Sequence, residues 1–144
     1  MEKEEVWAAV EHAVRDVESG PSFLHRFLDL KMSYIKDLAV VEFQSRKYLA
    51  NRKGALHGGI IALVLDMAMG ALHRNAIGPG LTLEFKVQFM KGVDTGRLRC
   101  ESRFLKQGRR LSFMEARAID EADDLVALAT ATWQAVGQPA ENAK

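Results

Sequence analysis

Residues 56–72 read LHGGIIALVLDMAMGAL, a helix-length apolar run that contains one acidic residue, Asp66. Apolar side chains occupy almost every side of such a helix, which predicts that other parts of the chain wrap around it. Asp is a poor residue for a helix interior and is rarely buried unless it is paired. Because an uncompensated buried charge is costly, we interpret Asp66 as a functional side chain. The alternative is a structural ion pair with an arginine, although no residue within 56–72 could supply it.

Length and composition bound the class of protein. The chain has 144 residues, which predicts one domain with a core that needs neither metal nor disulfide. A hydrophobic share of 48% and a charged share of 27% are typical of a soluble globular protein. The formal net charge of +1 indicates no general attraction to nucleic acid or to a membrane surface.

The N-terminal residues and the cysteine content indicate the cell compartment. Cys100 is the only cysteine, so no intrachain disulfide can form, and we expect a reducing, cytoplasmic location. The acidic, amphipathic N-terminus does not resemble a signal peptide. The run at residues 56–72 falls short of the ~20 apolar residues of a membrane-spanning helix.

Hydrophobic periodicity predicts the order of the elements. An amphipathic helix at residues 2–17, with Val6, Trp7, Val10, Val14 and Val17 on its apolar face, ends at Gly20 and Pro21. The other predicted elements are a helical turn at 23–27, strands at 32–35 and 38–45, a loop at 46–56, the central helix at 57–73, a turn at 75–80, and strands at 81–90, 97–104, 111–119 and 125–136.

These elements predict an α+β fold in which an antiparallel sheet curls around one buried helix. The last four strands are expected to form a meander. In the first of them Leu81, Leu83, Phe85, Val87 and Phe89 would share one face, and Thr82 and Glu84 the other. We expect an N-terminal helix and linker at residues 1–22, one domain at residues 23–137, and a flexible tail at residues 138–144.

A set of spaced residues resembles a known family. Residues 51–59 follow the pattern N-x-x-G-x-x-H-G-G, Asp66 follows in the helix, and the strand LTLEFKVQFM, the hairpin KQGRR and the strand LVALATATW come after it. Together these features resemble the hotdog-fold acyl-CoA thioesterases, most closely the branch acting on phenylacetyl-CoA and medium- or long-chain acyl-CoA. The resemblance covers residues 27–136 and implies hydrolysis of acyl-CoA to a free acid and coenzyme A.

The start of the central helix suits the chemistry that the resemblance implies. The first N–H groups of a helix are unpaired and carry the positive end of its dipole. Gly58 and Gly59 leave that end bare, so a carbonyl oxygen can approach it. Tight packing of the helix start is the structural alternative, and the resemblance favours an oxyanion hole at the Gly58 N–H. We expect the His57 ring to bond backbone near the helix start.

The resemblance also implies roles for three further residues. Asp66 would be the general base for a water molecule, or the nucleophile itself. Asn51 would position the substrate carbonyl or the water, although Asn is also common in turns. Thr82 stands where relatives place a Ser or Thr that holds the water, but the strand alternation leaves its reach toward Asp66 open. Glu84 is a nearby acid that we expect to be solvated.

The spacing of Gly58 and Asp66 has a consequence for assembly. Eight residues separate them, which is about 12 Å along a helix axis, with a rotation of roughly 80° around that axis. A reacting carbonyl must lie ~3 Å from its oxyanion donor and ~3–3.5 Å from its nucleophile. One helix cannot meet both requirements, so the site is expected to use Gly58 from one subunit and Asp66 from the other. We therefore expect a homodimer, or a tetramer of two dimers.

Coenzyme A would be part of the substrate, so no separate cofactor is expected. Its phosphates suit the basic hairpin formed by Lys106, Gly108, Arg109 and Arg110, although any one of these residues could simply be solvated. No metal is expected, because the four histidines lack ligand spacing. The acyl group is not readable from the sequence.

Other functions lack the necessary residues. No G-x-S-x-G nucleophile elbow is present, the GPG turn lacks the G-K-[ST] of a phosphate loop, and no basic and aromatic surface predicts nucleic-acid binding. A non-catalytic acyl-CoA-binding module of the same fold remains the main alternative, with a hydratase of that fold as a weaker one. Asp66 favours the enzyme, since a lipid sensor has no need of an acid beside the thioester.

Overall fold

One long helix lies against one face of a six-stranded antiparallel sheet in the computed structural model, which describes residues 2–15 and 18–137. This arrangement confirms the predicted α+β class. The elements are α1 (Lys3–Val14), α2 (Phe23–Phe27), β1 (Lys31–Ile35), β2 (Leu38–Ser45), a 3-10 helix (Lys47–Leu49), α3 (Gly58–Ala76), β3 (Gly80–Phe89), β4 (Gly96–Lys106), β5 (Leu111–Ile119) and β6 (Leu125–Ala135).

The sheet order corrects one prediction. The strands run β1-β2-β4-β5-β6-β3, so β4, β5 and β6 form a meander but β3 pairs with β6 at the sheet edge instead of with β4. Periodicity identifies strands and their faces, whereas the choice of neighbour is a long-range pairing that alternation does not encode. The edge position of β3 leaves one of its sides without a partner strand among the described residues.

The ends of the helices also differ from the prediction. Helix α3 continues through Ala76, so the expected turn at residues 75–80 is shorter, and the N–H groups of Ile77 and Gly78 both donate to the His73 carbonyl. Helix α1 ends at Val14, and its expected last apolar residue, Val17, lies outside the described residues, as does the expected tail at residues 138–144. The apolar face predicted for α1 is not buried: Trp7 is 64% exposed. The residue of α1 that is buried is the small Ala13.

The core between α3 and the sheet depends on small side chains. The inward residues of β5 and β6 alternate with outward ones, and five of them are buried alanines: Ala116, Ala118, Ala127, Ala129 and Ala131. Opposite them, α3 contributes large buried residues such as Leu65 and Met69. Short side chains on the sheet let the helix approach closely, so the apolar helix fills the space that larger strand residues would otherwise occupy.

A polar contact also ties the helix to the sheet. The buried Ser102 of β4 donates its hydroxyl to the Ala68 carbonyl of α3 at 2.8 Å. The side of α3 that bears Ile60, Leu63 and Met67 is only half-buried, so the predicted wrapping of the helix is incomplete in one subunit. No helix within the described residues is long and apolar enough to cross a bilayer.

The outer face of the sheet carries a buried acid. Glu115 of β5 is 6% exposed and accepts hydrogen bonds from Arg103 at 2.6 Å and from Arg117 at 3.2 Å. Burial alone would raise the pKa of Glu115, but the hydrogen bond and charge of Arg103, together with Arg117, lower it below its ordinary value of 4.5. The three side chains form an ion-pair group over the middle of β4 and β5.

We predict that Ala129→Leu lowers the free energy of unfolding by about 1–3 kcal/mol, because three added carbons must be forced between β6 and α3. Urea unfolding followed by circular dichroism measures the change. Thr130→Leu, at the adjacent outward and exposed position, is the matched control and should change the free energy of unfolding by less than about 0.5 kcal/mol. Equal losses in the two variants would contradict this account of the core.

We predict a pH-dependent effect for Glu115→Gln. A carboxyl whose pKa is lowered by folding stabilises the protein above its unfolded pKa and loses that contribution as pH falls through the folded value. The variant should therefore unfold about 1–2 kcal/mol more easily at pH 7. The difference from the original protein should begin to shrink as pH falls below 4.5 and vanish once pH is below the lowered pKa of Glu115 in the folded protein. A difference that stays constant from pH 7 to pH 3 would contradict the ion-pair explanation.

Candidate active site

The N-terminus of α3 presents one free backbone donor. The His57 ring caps the helix, with Nδ1 accepting a hydrogen bond from the Gly59 N–H at 2.9 Å, so the ring bonds backbone where the sequence predicted. The Gly58 N–H donates to no acceptor among the described residues. A Cβ at Gly58 would lie 3.3 Å from the Phe89 ring, so a side chain there would press against that ring. The arrangement leaves a bare N–H at the positive end of a 19-residue helix.

The loop before α3 holds this end in place. The Leu56 N–H donates to the Val93 carbonyl at 2.7 Å, and the His57 N–H donates to the Leu49 carbonyl at 2.9 Å. Asn51 occupies a turn, where its side-chain oxygen accepts from the Lys53 N–H at 2.8 Å. The turn alternative considered for Asn51 therefore accounts for its oxygen, while the amide NH₂ makes no hydrogen bond within the part of the chain that the structure describes.

Asp66 is half-buried on α3 and is held by a hydroxyl. Thr82 of β3 donates from Oγ1 to Oδ1 of Asp66 at 2.8 Å. No lysine, arginine or histidine of the described residues lies within 4.0 Å of the carboxylate, so the structural ion-pair alternative for Asp66 fails. A single hydrogen bond leaves the remaining lone pairs of the carboxylate available to a water molecule or a substrate.

A β-bulge explains why Thr82 reaches Asp66. Thr82 pairs with Trp133 and Glu84 pairs with Thr132, so Leu83 is an extra residue in β3. The bulge reverses the alternation, which places Thr82 on the same face as Phe85 and Val87 and leaves Leu83 53% exposed. The predicted single face from Leu81 to Phe89 is therefore wrong at its N-terminal end. Apolar and polar residues alternate in the sequence from Leu81 to Phe89 whether or not the strand contains a bulge. Hydrophobic periodicity therefore does not reveal the bulge.

Glu84, the competing acid, lies on the other side of the sheet. Its Oε2 accepts a hydrogen bond from Thr132 at 3.3 Å at an exposed outward position. Cys100 is fully buried, and burial raises the pKa of its thiol to about 12, so it serves packing. Across residues 2–15 and 18–137 no group of three or more His, Cys, Asp or Glu side chains could hold a metal ion.

The basic hairpin lies at the Asp66 end of the molecule. Leu111 pairs with Gln134, which pairs with Leu81, so the β4–β5 turn flanks the start of β3. Gly108 is required there, because a Cβ would collide with the Leu111 carbonyl oxygen. The side chains of Lys106, Arg109 and Arg110 are exposed, and none forms an ion pair with a described carboxylate. The hairpin is thus near the acid but makes no contact with it.

A cleft of 480 Å³ opens beside Asp66. It lies between α3, β1 and the segment before α2, and it is lined in part by Tyr34, Gly70, Arg74 and Trp133. The sequence prediction missed these residues. Only the spacing of Gly70 and Arg74, four and eight residues after Asp66, could have indicated a shared helix face.

One subunit does not bring the two expected site residues together. Gly58 faces Phe89 near the end of β3, whereas Asp66 bonds Thr82 near its start. Both lie on the single continuous helix α3, so about 12 Å of axis separates them. Within one chain, the Asp66 carboxylate therefore lies near the start of β3, and the free Gly58 N–H lies near the end of β3.

Comparison with known proteins assigns the family. The profile of the thioesterase superfamily matches residues 53–127, which include Gly58, Asp66 and Thr82. A protein from Saccharolobus solfataricus that carries an esterase name is 30% identical over 124 residues, covering 84% of this chain and 89% of that protein.

Solved structures agree with the fold. A conserved protein from Pseudomonas aeruginosa is similar with a TM-score of 0.75 and 28% identity, covering 85% of this chain and 99% of its own. A protein from Ralstonia eutropha named as phenylacetic acid degradation-related has a TM-score of 0.75 at 20% identity, covering 86% and 99%, and it shows the fold alone. From the profile match and the sequence relatives, the chain belongs to the thioesterase superfamily.

Proposed function

We propose that this protein hydrolyses acyl-CoA thioesters at a site shared by two subunits. The observation that carries the proposal is the Asp66 carboxylate, half-buried beside a cleft and held by the Thr82 hydroxyl. In the reaction Asp66 either attacks the thioester carbonyl or removes a proton from an attacking water. The Gly58 N–H of the other subunit stabilises the oxyanion that develops on the carbonyl oxygen. The products are a free acid and coenzyme A.

Other residues would prepare these two groups. Thr82 would fix the orientation of the Asp66 carboxylate, and its hydroxyl would also bind the attacking water. The His57 ring accepts the hydrogen bond of the Gly59 N–H and orients the first helical turn, so the Gly58 N–H is the donor that remains for the substrate. The free amide NH₂ of Asn51 would bind the carbonyl or the water, and Lys106, Arg109 and Arg110 would contact the coenzyme A phosphates.

The edge strand supports the dimer. Strand β3 has an unpartnered side and exposes Leu81, Leu83 and Phe89 by 56%, 53% and 51%. An exposed edge of ten residues with apolar side chains is a surface that another strand can cover. Antiparallel pairing of two copies, with Thr82 of one subunit opposite Phe89 of the other, satisfies two-fold symmetry.

That register also completes the site. Thr82 marks the position of Asp66, and Phe89 marks the position of Gly58 in the same chain. Pairing Thr82 with Phe89 of the second subunit would therefore set each carboxylate opposite a bare N–H, giving two sites per dimer. Leu105, Leu111 and Phe113, which are exposed on the sheet, would provide a surface for a tetramer of two dimers.

We predict that Asp66→Asn lowers kcat for thioester hydrolysis by about 10²–10⁴-fold, the usual contribution of a positioned acid or base. Thr82→Val should cost about 10- to 100-fold, since it removes one hydrogen bond to a charged group, and Thr82→Ser should retain activity. Thiol release from short, medium, long and aryl acyl-CoA measures the rate. Glu84→Gln, an acid on the opposite face of the same strand, is the matched control. Acyl-CoA binding without turnover in the original protein would favour the sensor alternative.

A mixed-dimer experiment tests the shared site. Gly58 is the first residue of α3, where the backbone suits proline, and His57 is already extended with ψ 127°. Gly58→Pro therefore removes the N–H, with about 10²–10³-fold loss of kcat expected. The Cβ of proline would lie 3.3 Å from the Phe89 ring, so Gly58→Ala, which adds the same Cβ and keeps the N–H, is the matched control. Dimers that combine one Asp66→Asn subunit with one Gly58→Pro subunit contain one intact site and should recover about half the original activity. No recovery, or a fully active monomer, would contradict the shared site.

A further inference from the structure

The cleft beside Asp66 contains a second charged residue. Arg74 lines the same 480 Å³ space, eight residues after Asp66 on helix α3. His25 also lines it, but burial and the neighbouring charges of Lys31 and Arg26 lower the pKa of His25 below 6.5, so its ring is neutral at pH 7. At neutral pH the charged groups lining the cleft are one carboxylate and one guanidinium.

The helix carries no side chain at Gly70, between these two charges. Gly70 stands four residues from each, and positions spaced by four lie along one side of a helix. A Cβ at Gly70 would lie 2.9 Å from the Trp133 ring, so the indole packs directly on the helix backbone. The edge of the Trp133 indole therefore lies against the helix at Gly70, between the acid and the cation, where Trp133 lines the cleft.

Arg74 carries a charge that the rest of the described chain does not neutralise. No carboxylate among residues 2–15 and 18–137 lies within 4.0 Å of its guanidinium. Its place in the last turn of α3 suits the helix dipole. The dipole does not, however, require the side chain to line the cleft that holds Asp66. Arg74 is exposed at the far end of this cleft, and a guanidinium there is a binding group for a planar anion.

We propose that Arg74 selects acyl groups that end in a carboxylate, so the preferred substrates are medium-length dicarboxylic acyl thioesters. This inference rests on the thioesterase activity proposed above. The thioester carbonyl lies at Asp66, the methylene chain crosses Gly70 and the Trp133 ring, and the terminal carboxylate pairs with Arg74. Hydrolysis leaves a free dicarboxylic acid and coenzyme A, with one water consumed and the C–S bond replaced by C–O.

The spacing sets the length of the acyl group. Eight residues correspond to about 12 Å along the helix, and the nucleophile contact takes up ~3.5 Å of it. The rotation of about 80° between the two positions lengthens the path by a few ångströms, and the carboxylate–guanidinium contact takes up ~3 Å of it. The remaining distance of roughly 8 Å is spanned by about six carbon–carbon bonds of ~1.5 Å in an extended zigzag. Helical side chains lean toward the N-terminus, so the guanidinium reaches back toward Asp66 and shorter chains are also accepted. Acyl groups of about five to eight carbons fit this range.

The test compares two six-carbon substrates. Adipyl-CoA ends in a carboxylate and hexanoyl-CoA ends in a methyl group, so their kcat/KM ratio isolates the terminal charge. Arg74→Gln should lower kcat/KM for adipyl-CoA by about 10- to 100-fold, the range for loss of one charge-assisted hydrogen bond, and leave hexanoyl-CoA nearly unchanged. Arg97→Gln, on β4 at a position alternating with buried Leu98, is the matched control and should alter neither substrate.

Charge reversal gives a second, independent readout. Arg74→Glu should reject adipyl-CoA and hydrolyse 6-aminohexanoyl-CoA better than the original protein does. Binding is measured as well, in Asp66→Asn, with a non-hydrolysable thioether of coenzyme A whose chain ends in a carboxylate. Arg74→Gln added to Asp66→Asn should weaken that binding by the same factor and leave the methyl-ended thioether unaffected.

The outcomes separate this inference from the proposed function. If no thioester is hydrolysed, the thioesterase proposal fails, and the thioether binding still decides the role of Arg74. If Arg74→Gln weakens both six-carbon substrates equally, and the loss disappears with pantetheine thioesters, Arg74 binds a coenzyme A phosphate and the inference is overturned. Unchanged kinetics and binding for both substrates would also overturn it.

Discussion

Close packing of helix α3 on the sheet is the constraint on which the rest of the structure depends. The alanines of β5 and β6 and the Ser102 hydrogen bond let an apolar helix approach the strands directly. Burying such a helix supplies much of the hydrophobic stabilisation of a chain this size. The sheet covers only one side of α3, so the other side, which bears Asp66, borders a cleft. A carboxylate is tolerated there because it is half-exposed and hydrogen-bonded.

The same helix separates the two groups that the proposed chemistry uses. Its N-terminus offers the Gly58 N–H, and its middle offers Asp66, about two turns further along. A rigid helix cannot fold back to unite them, whereas a two-fold axis through the edge of β3 would exchange the ends between subunits. The free edge, the bulge at Leu83 and the half-buried side of α3 all lie where a second copy would meet the first. In this interpretation, the separation of Gly58 and Asp66 on one rigid helix is the physical reason both for the dimer and for the shared active site.

The cleft bears on which acyl group the protein would bind. Membership of the thioesterase superfamily leaves the acyl group open. In this protein the cleft beside Asp66 is also lined by Trp133 and Arg74, where the proposed acyl chain would end. A cation at that distance acts on a terminal anion by charge pairing, and it gives no advantage to a terminal methyl group. Recognition would thus come from one charge placed two helical turns from the acid.

The sequence by itself determined the α+β class and the central helix, and it singled out Asp66 as an acid in an apolar run. These follow from local periodicity and from the cost of placing an acid in an apolar run. The tertiary structure decided that β3 pairs with β6, that a bulge turns Thr82 toward Asp66, and that Arg74 and Trp133 border the cleft. Strand pairing and cleft lining join residues that are distant along the chain. The alternation of apolar and polar residues along a strand is the same whichever strand pairs with it and whichever residues line the cleft. No local pattern could therefore have specified the strand pairing or the cleft lining.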